Sequence, residues 1–159
     1  MKKTRCKELD KKLFNISEGF TLIELVVAIS LIAILFSISI PAFSLWNSSI
    51  KLSGSQKELI SNLRLTQQKA ITTQINHSVN FNTDTNSYSI IKKDDGKTLE
   101  TVFLKNTISF SSINLNPSSS EIEFNASGVP SSTGEISIIN NKNKTKAIEI
   151  QPSGFVKGN

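Results

Sequence analysis

At 159 residues, with 38% hydrophobic and 19% charged side chains, the chain has room for one modest folded domain and an appendage. One cysteine (Cys6) and one histidine (His77) exclude an internal disulfide and a metal site built on several imidazoles. The net charge of +5 does not describe the whole chain. Residues 1–19 hold six basic and three acidic side chains, leaving twelve basic and ten acidic over the rest, which is not the balance of a strongly basic nucleic-acid binder.

The first element is the basic leader, residues 1–19, with Lys2, Lys3, Arg5, Lys7, Lys11 and Lys12. An apolar run follows from Phe20 to Phe43, and its stretch Leu25–Ile40 carries no charge and only three serines. A secretory signal has a shorter basic start, an apolar core of roughly 7–15 residues and a small-x-small cleavage site after it. Ser37-Ile38-Ser39 is a poor version of such a site. As a helix the run is about 36 Å long, enough to cross a hydrocarbon core of about 30 Å. The lysines before it stay cytoplasmic and place the remainder outside the inner membrane. On these features alone, an unprocessed single-pass anchor displaying a domain is one reading.

Glu24 conflicts with a plain anchor. A carboxylate inside such a helix costs about 2.5–3.5 kcal/mol on insertion scales, more than one leucine or isoleucine returns. Near the helix end it could reach toward the headgroups. The alternative is a cation supplied from elsewhere. Cutting the chain between Gly19 and Phe20 creates an α-amine one helical turn before Glu24, available within its own helix or to a staggered neighbour.

The stretch Gly19-Phe20-Thr21-Leu22-Ile23-Glu24-Leu25, followed by the apolar run and Pro41, resembles the N-terminus of type IV pilins and of the pseudopilins of type II secretion systems. The resemblance implies cleavage after Gly19 by a prepilin peptidase, methylation of the Phe20 amine, and a role for Glu24 in assembly with other pilins or pseudopilins in a helical filament. A glycine before the cut suits a peptidase cleft, because no Cβ obstructs close backbone approach. Pro41 removes one backbone donor and crowds the preceding turn, so the helix kinks there or the membrane segment ends. Trp46 reads as an interfacial anchor.

From Asn47 to Asn76 the pattern turns amphipathic. Leu52, Leu59, Ile60, Leu63, Ala70, Ile71 and Ile75 make one buried stripe, with a tolerated bend near Gly54. Beyond His77 come short alternating runs, 78–81, 88–92, 99–105, 107–110, 121–124, 135–139, 146–151 and 154–157, separated by turn residues. Alternation puts Ile122, Phe124, Ile148 and Ile150 on an inner face. The fold predicted is therefore α+β: a long N-terminal α-helix with an apolar first half, packed against a small antiparallel β-sheet head. Its divisions are the cleaved leader 1–19, a transmembrane and filament-core helix 20–46, an amphipathic half 47–76 and a β-rich head 77–159.

The frame Ile122–Gly128, Gly134–Ile139 and Lys146–Lys157 resembles the head of the GspH/FimT group of minor pilins and pseudopilins. Some of that group bind DNA through Gly-Arg-x-Arg on the last strand, whereas this chain has Gly154-Phe155-Val156-Lys157. One arginine position is Phe and the other is Lys, which lacks the bidentate fork. Lys142, Lys144 and Lys146 add a basic loop, and with Lys157 they define a second reading, a DNA-binding minor pilin for uptake in transformation. No metalloprotease, nucleophile-elbow or phosphate-loop motif is present. His77 reads as a capping or surface residue, and Asp84, Asp94 and Asp95 are too loosely spaced to claim calcium. The expectation is a non-enzyme without cofactor or metal, whose partners are a prepilin peptidase, other pilins and the inner membrane.

Overall fold

The computed structural model describes residues 19–159, with the side chains of residues 38–42, 44 and 45 excepted. Residues 1–18 of the leader, and the Pro41 ring on which the kink was predicted, lie outside the described part. The chain divides into two compact units, Met1–Pro41 and Ala42–Asn159.

One helix, α1, runs from Leu22 to Thr73. Gly54 does not interrupt it. It stops three residues short of the predicted Asn76, because Gln74 takes a left-handed backbone (φ 56°). The Gln74 side-chain amide then donates to Ile71 O at 2.7 Å, satisfying one of the carbonyls that a helix end leaves open.

In the second unit α1 buries Leu52, Ser55, Leu59, Leu63, Thr66 and Ala70, three or four residues apart, and Gln56 beside Ser55. Ile71 departs from the predicted stripe and is 43% exposed, since one residue beyond Ala70 turns the helix by about 100°. Ile60 is only partly buried, and Ile75 lies past the helix end.

The strands are β1 (His77–Asn82), β2 (Ser87–Lys92), β3 (Thr98–Phe103), β4 (Ile108–Asn116), β5 (Glu121–Phe124), β6 (Thr133–Asn140), β7 (Thr145–Ile150) and β8 (Val156–Gly158). They form two four-stranded sheets, β3-β2-β1-β5 and β4-β6-β7-β8, where the sequence suggested one. Every pairing is antiparallel. The chain leaves the first sheet after β3, returns to it for β5 and leaves again for β6. Alternation marks each strand's inner face but carries no information about which strand lies beside it.

Both sheets close on the helix stripe. Leu59 and Leu63 share one core with Val79, Tyr88, Ile90, Ile122 and Phe124 of the first sheet and Ile136, Ile148, Ile150 and Val156 of the second. A smaller cluster of Leu52, Ile108 and Ile138 caps the core toward the start of this unit's helix. Each fully buried Leu or Ile contributes about 1.5–3 kcal/mol relative to exposure, so the stripe holds the head to the helix.

Candidate assembly and processing site

Gly19 and Phe20 precede the first turn of α1 in open surroundings, with Phe20 91% exposed. Thr21 caps the helix. Its Oγ1 accepts from Glu24 N at 3.3 Å, while Thr21 N donates to Glu24 Oε2 at 2.9 Å and the Thr21 hydroxyl donates to the same oxygen at 2.8 Å. This is a capping box, in which two donors left orphaned at a helix start are satisfied reciprocally. Glu24, read from sequence as awaiting a cation, therefore already has a place within its own turn. A carboxylate offers about four acceptor positions, so the box leaves room for a further donor. Sequence reading missed Thr21, although the Thr-x-x-Glu spacing was there to be seen.

Beyond the box the described side chains of the first unit, Leu22 through Phe36, are apolar and exposed on every side, save Glu24 and Ser30. Ser30 and Ser37 do not break the apolar surface. Each hydroxyl donates to a carbonyl of its own helix, Val26 O and Ile34 O, both at 2.7 Å. A helix apolar all round suits burial among other helices or lipid rather than water. Among the described residues no helix is long and apolar enough to cross a membrane. Within the predicted span Phe20–Phe43 the side chains of residues 38–42 lie outside the described part.

In the head, the four lysines read as DNA contacts do not make one surface. Lys142 and Lys144 sit in the β6–β7 turn, where Asn140 Oδ1 accepts both their backbone N–H groups at 3.0 and 2.9 Å. Lys146 is half-buried on β7 in phase with Ile148, and so lies on the core-facing side. Lys157 is on the opposite face, its ammonium 3.1 Å from Glu149 across the β7–β8 pair. That hydrogen bond holds the Glu149 carboxyl below its ordinary range. Gly154 and Phe155 lie in the turn before β8, not in the strand.

The position where the DNA-binding pattern needs arginine is filled by Phe155, whose ring has the Arg64 guanidinium 5.6 Å from its centroid. Arg64 also donates to Val156 O at 2.6 Å. This cation comes from the helix, on a residue the sequence reading left unassigned. His77 is a correction of a different kind: it is buried on β1, only 2% exposed, with Nδ1 donating to Ile75 O at 2.8 Å. Two of the three turn acids, Asp94 and Asp95, are partnered locally. Asp94 lies 2.6 Å from Lys92, whose hydrogen bond lowers the carboxyl's pKa and is itself reflected in a raised lysine pKa.

Residues 56–154 match the family profile described as type II transport protein GspH, over more than half of the chain. The chain belongs to the GspH family. Residues 15–40 of this GspH chain match the prokaryotic N-terminal methylation motif, which covers Gly19, Phe20 and Glu24. The motif and the GspH head together make it a minor pilin-like subunit. Its fold is similar to that of the minor pseudopilin EpsH from the type 2 secretion system of Vibrio cholerae (TM-score 0.56, 15% identity, 69% of this chain and 96% of that one). It is also similar to the type IV minor pilin FimU of Pseudomonas aeruginosa (TM-score 0.57, 16% identity, 70% and 90%). No curated protein sequence matches it.

Proposed function

We propose that the chain waits in a bacterial inner membrane as a single-pass protein, N-terminus cytoplasmic and head periplasmic. It is cut after Gly19 by a prepilin peptidase, methylated on Phe20 and packed with other pilins into a pilus or pseudopilus. The carrying observation is the first unit: a helix start with an exposed Gly19-Phe20 junction, followed by side chains apolar on every side. A surface of that kind is completed by lipid before assembly and by neighbouring helices after it. The chain acts by packing, and the reading assigns it no catalysis.

Glu24 gives the assembly its register. The capping box uses one carboxylate oxygen, Oε2, for both Thr21 donors. A neighbour's N-terminal amine adds a charge-assisted bond, stronger than a neutral one and stronger still away from water. Only a subunit at the correct axial offset presents that amine, so mispaired offsets leave the acid with its insertion cost of about 2.5–3.5 kcal/mol.

The test has two readouts in the native host. Mass spectrometry of the mature chain should show an N-methylated Phe20 as the first residue. Glu24→Ala should leave that processing intact and remove the subunit from purified filaments. Filaments with normal content of the variant would sink the assembly role, and a mature chain retaining residues 1–19 would sink the processing.

A further inference from the structure

The charges of the head are distributed unequally between its two ends. At the end where α1 finishes, they are paired: Lys93 lies 2.5 Å from Glu121 and 3.7 Å from Glu123, Lys92 binds Asp94, and Asn76 donates to Glu123 at 2.7 Å. At the end where this unit's helix begins, the charges are basic and have no ion pair among the described residues. Lys51 is exposed on the helix, Lys105 on the β3–β4 connection, and Lys142 and Lys144 in the β6–β7 turn.

Three contacts gather these segments around the helix start. Ser48 Oγ meets Asn141 Oδ1 at 3.3 Å, and Asn140 Nδ2 donates to Ser48 O at 3.3 Å. Asn141 N donates to Thr107 O at 3.1 Å, tying the lysine turn to the β3–β4 connection. The Lys105 ammonium reaches back over the helix, 3.9 Å from where a Gly54 side chain would begin. Among the described residues two acids lie near this end: Asp84, in the β1–β2 turn whose Asn86 accepts from Leu104 N and Phe110 N, and Glu58, one helical turn beyond Gly54. The four lysines outnumber them.

The same end carries the exposed aromatics. Phe43 and Trp46, each 63% exposed, stack edge to face with centroids 6.3 Å apart. Trp46 to Lys51 is about 7.5 Å of helix and Trp46 to Gly54 about 12 Å, so Lys51 lies at about headgroup depth from an aromatic pair suited to the membrane interface, and Lys105 at the level of Gly54 lies at the outer side of that layer. We propose that Lys51, Lys105, Lys142 and Lys144 form a collar that binds the phosphates of anionic phospholipids while the subunit waits in the membrane. The proposal rests on the membrane placement under Proposed function. Bands of aromatic and basic side chains in this order match the apolar boundary, then the phosphates, of a lipid surface. A DNA duplex presents phosphates without that boundary, and its bases, stacked on one another, leave Phe43 and Trp46 without a partner.

The collar seats the head on the bilayer and fixes the depth of Trp46. Each basic side chain near an anionic surface gives about a fivefold gain in association at low salt, falling as salt screens it. The test uses the full chain in nanodiscs of phosphatidylcholine alone, or with a quarter of phosphatidylglycerol. Quenching of Trp46, the only tryptophan, by lipids brominated on their acyl chains reports insertion. Amide hydrogen exchange at residues 104–107 and 140–145 reports the collar.

The expected result is Trp46 quenching in both discs, with collar exchange slowed about tenfold only in anionic discs. That slowing is lost in about 0.5 M salt and in the fourfold Lys→Gln variant, and kept in the fourfold Lys→Arg variant. Quenching in both discs with identical collar exchange overturns the collar and leaves the membrane placement standing. Absence of quenching in both overturns the placement and the collar with it. Equal protection in neutral discs by added inorganic phosphate identifies a free-anion site, and by a DNA duplex a nucleic-acid site; either overturns the lipid assignment.

Discussion

Gln56 is the polar residue that ties the C-terminal strands to the helix, and Gln56→Met removes its bonds at nearly constant volume. The side chain is 5% exposed, with Nε2 2.7 Å from Ala147 O and 2.9 Å from Asn159 O. Two ordinary hydrogen bonds contribute about 1 kcal/mol each, and a buried acceptor left unpaired adds about 1–3 kcal/mol. That second cost is small at this site. Ala147 O keeps a donor, Asn159 N at 3.0 Å, and Asn159 is exposed so water can replace the amide. The expected loss is therefore about 1–2 kcal/mol, a fall in Tm of roughly 4–8 °C for a unit of this size. Gln56→Glu should cost more, because a carboxylate donates to neither carbonyl and is buried against both. Ellipticity melts of the full chain in detergent micelles measure both variants. A Gln56→Met melt within about 1 °C of wild type, with Gln56→Glu equally unchanged, would refute the clasp.

Tyr88, the only tyrosine, is buried, and that burial pushes its pKa up to about 12 despite the Asn62 bond at 2.7 Å. A raised folded-state value means its contribution is fully present below pH ~10 and lost as pH climbs toward 12, amounting to about 2 kcal/mol. Ultraviolet titration should show one phenol ionising near pH 12 in the folded chain, and an ordinary midpoint near 10 would remove the prediction. Thr21→Val, which breaks the capping box, should speed amide exchange in the first turn of α1 about fivefold, with Thr21→Ser restoring it. Gly134→Ala should destabilise the head more than Gly128→Ala in the same melts. An added Cβ at Gly134 meets the Asn114 backbone carbonyl oxygen at 2.1 Å, whereas at Gly128 it meets the end of the movable Ile71 side chain at 2.7 Å.

Local pattern was legible and pairing was not. The helix stripe, the inward Ile122 and Phe124, and the inward Ile148 and Ile150 follow from periods of 3.6 and 2, and all of these strand residues are buried. The split into two sheets depends on β4, predicted to end at Phe110 and in fact continuing to Asn116 opposite β6. Ile113 and Leu115 alternate with Asn114 and Asn116, but one residue out of phase with Ile108 and Phe110; the register of β4 on β6 shifts between Phe110 and Ser112, and such a bulge breaks the period of 2 that marks a continuous strand. His77 and Gln56 were misplaced or missed for a shared reason. Polarity argues for the surface unless a specific carbonyl waits inside, and Ile75 O, Ala147 O and Asn159 O are supplied by distant or folded backbone. At the N-terminus the charge of Glu24 stands out through its cost in lipid, whereas its cap is carried by a different signal, the Thr21-x-x-Glu24 spacing.

The two units differ in how complete they are. In the second, apolar groups face one another across the helix and two sheets, and most of its ion pairs join residues brought together by strand pairing. In the first, the described apolar side chains face outward. Its polar atoms are nonetheless paired within the helix: Glu24 with Thr21, Ser30 with Val26 and Ser37 with Ile34. That combination is stable in a medium that supplies no hydrogen bonds, and it leaves the choice of neighbour to shape and to the remaining acceptor positions of one carboxylate. Exchange of lipid for identical helices then changes little in apolar contact, because hydrocarbon and leucine are comparably apolar. In the proposed assembly the direction of that exchange comes from a polar term added to the apolar ones, the role proposed above for a second subunit's amine on Glu24.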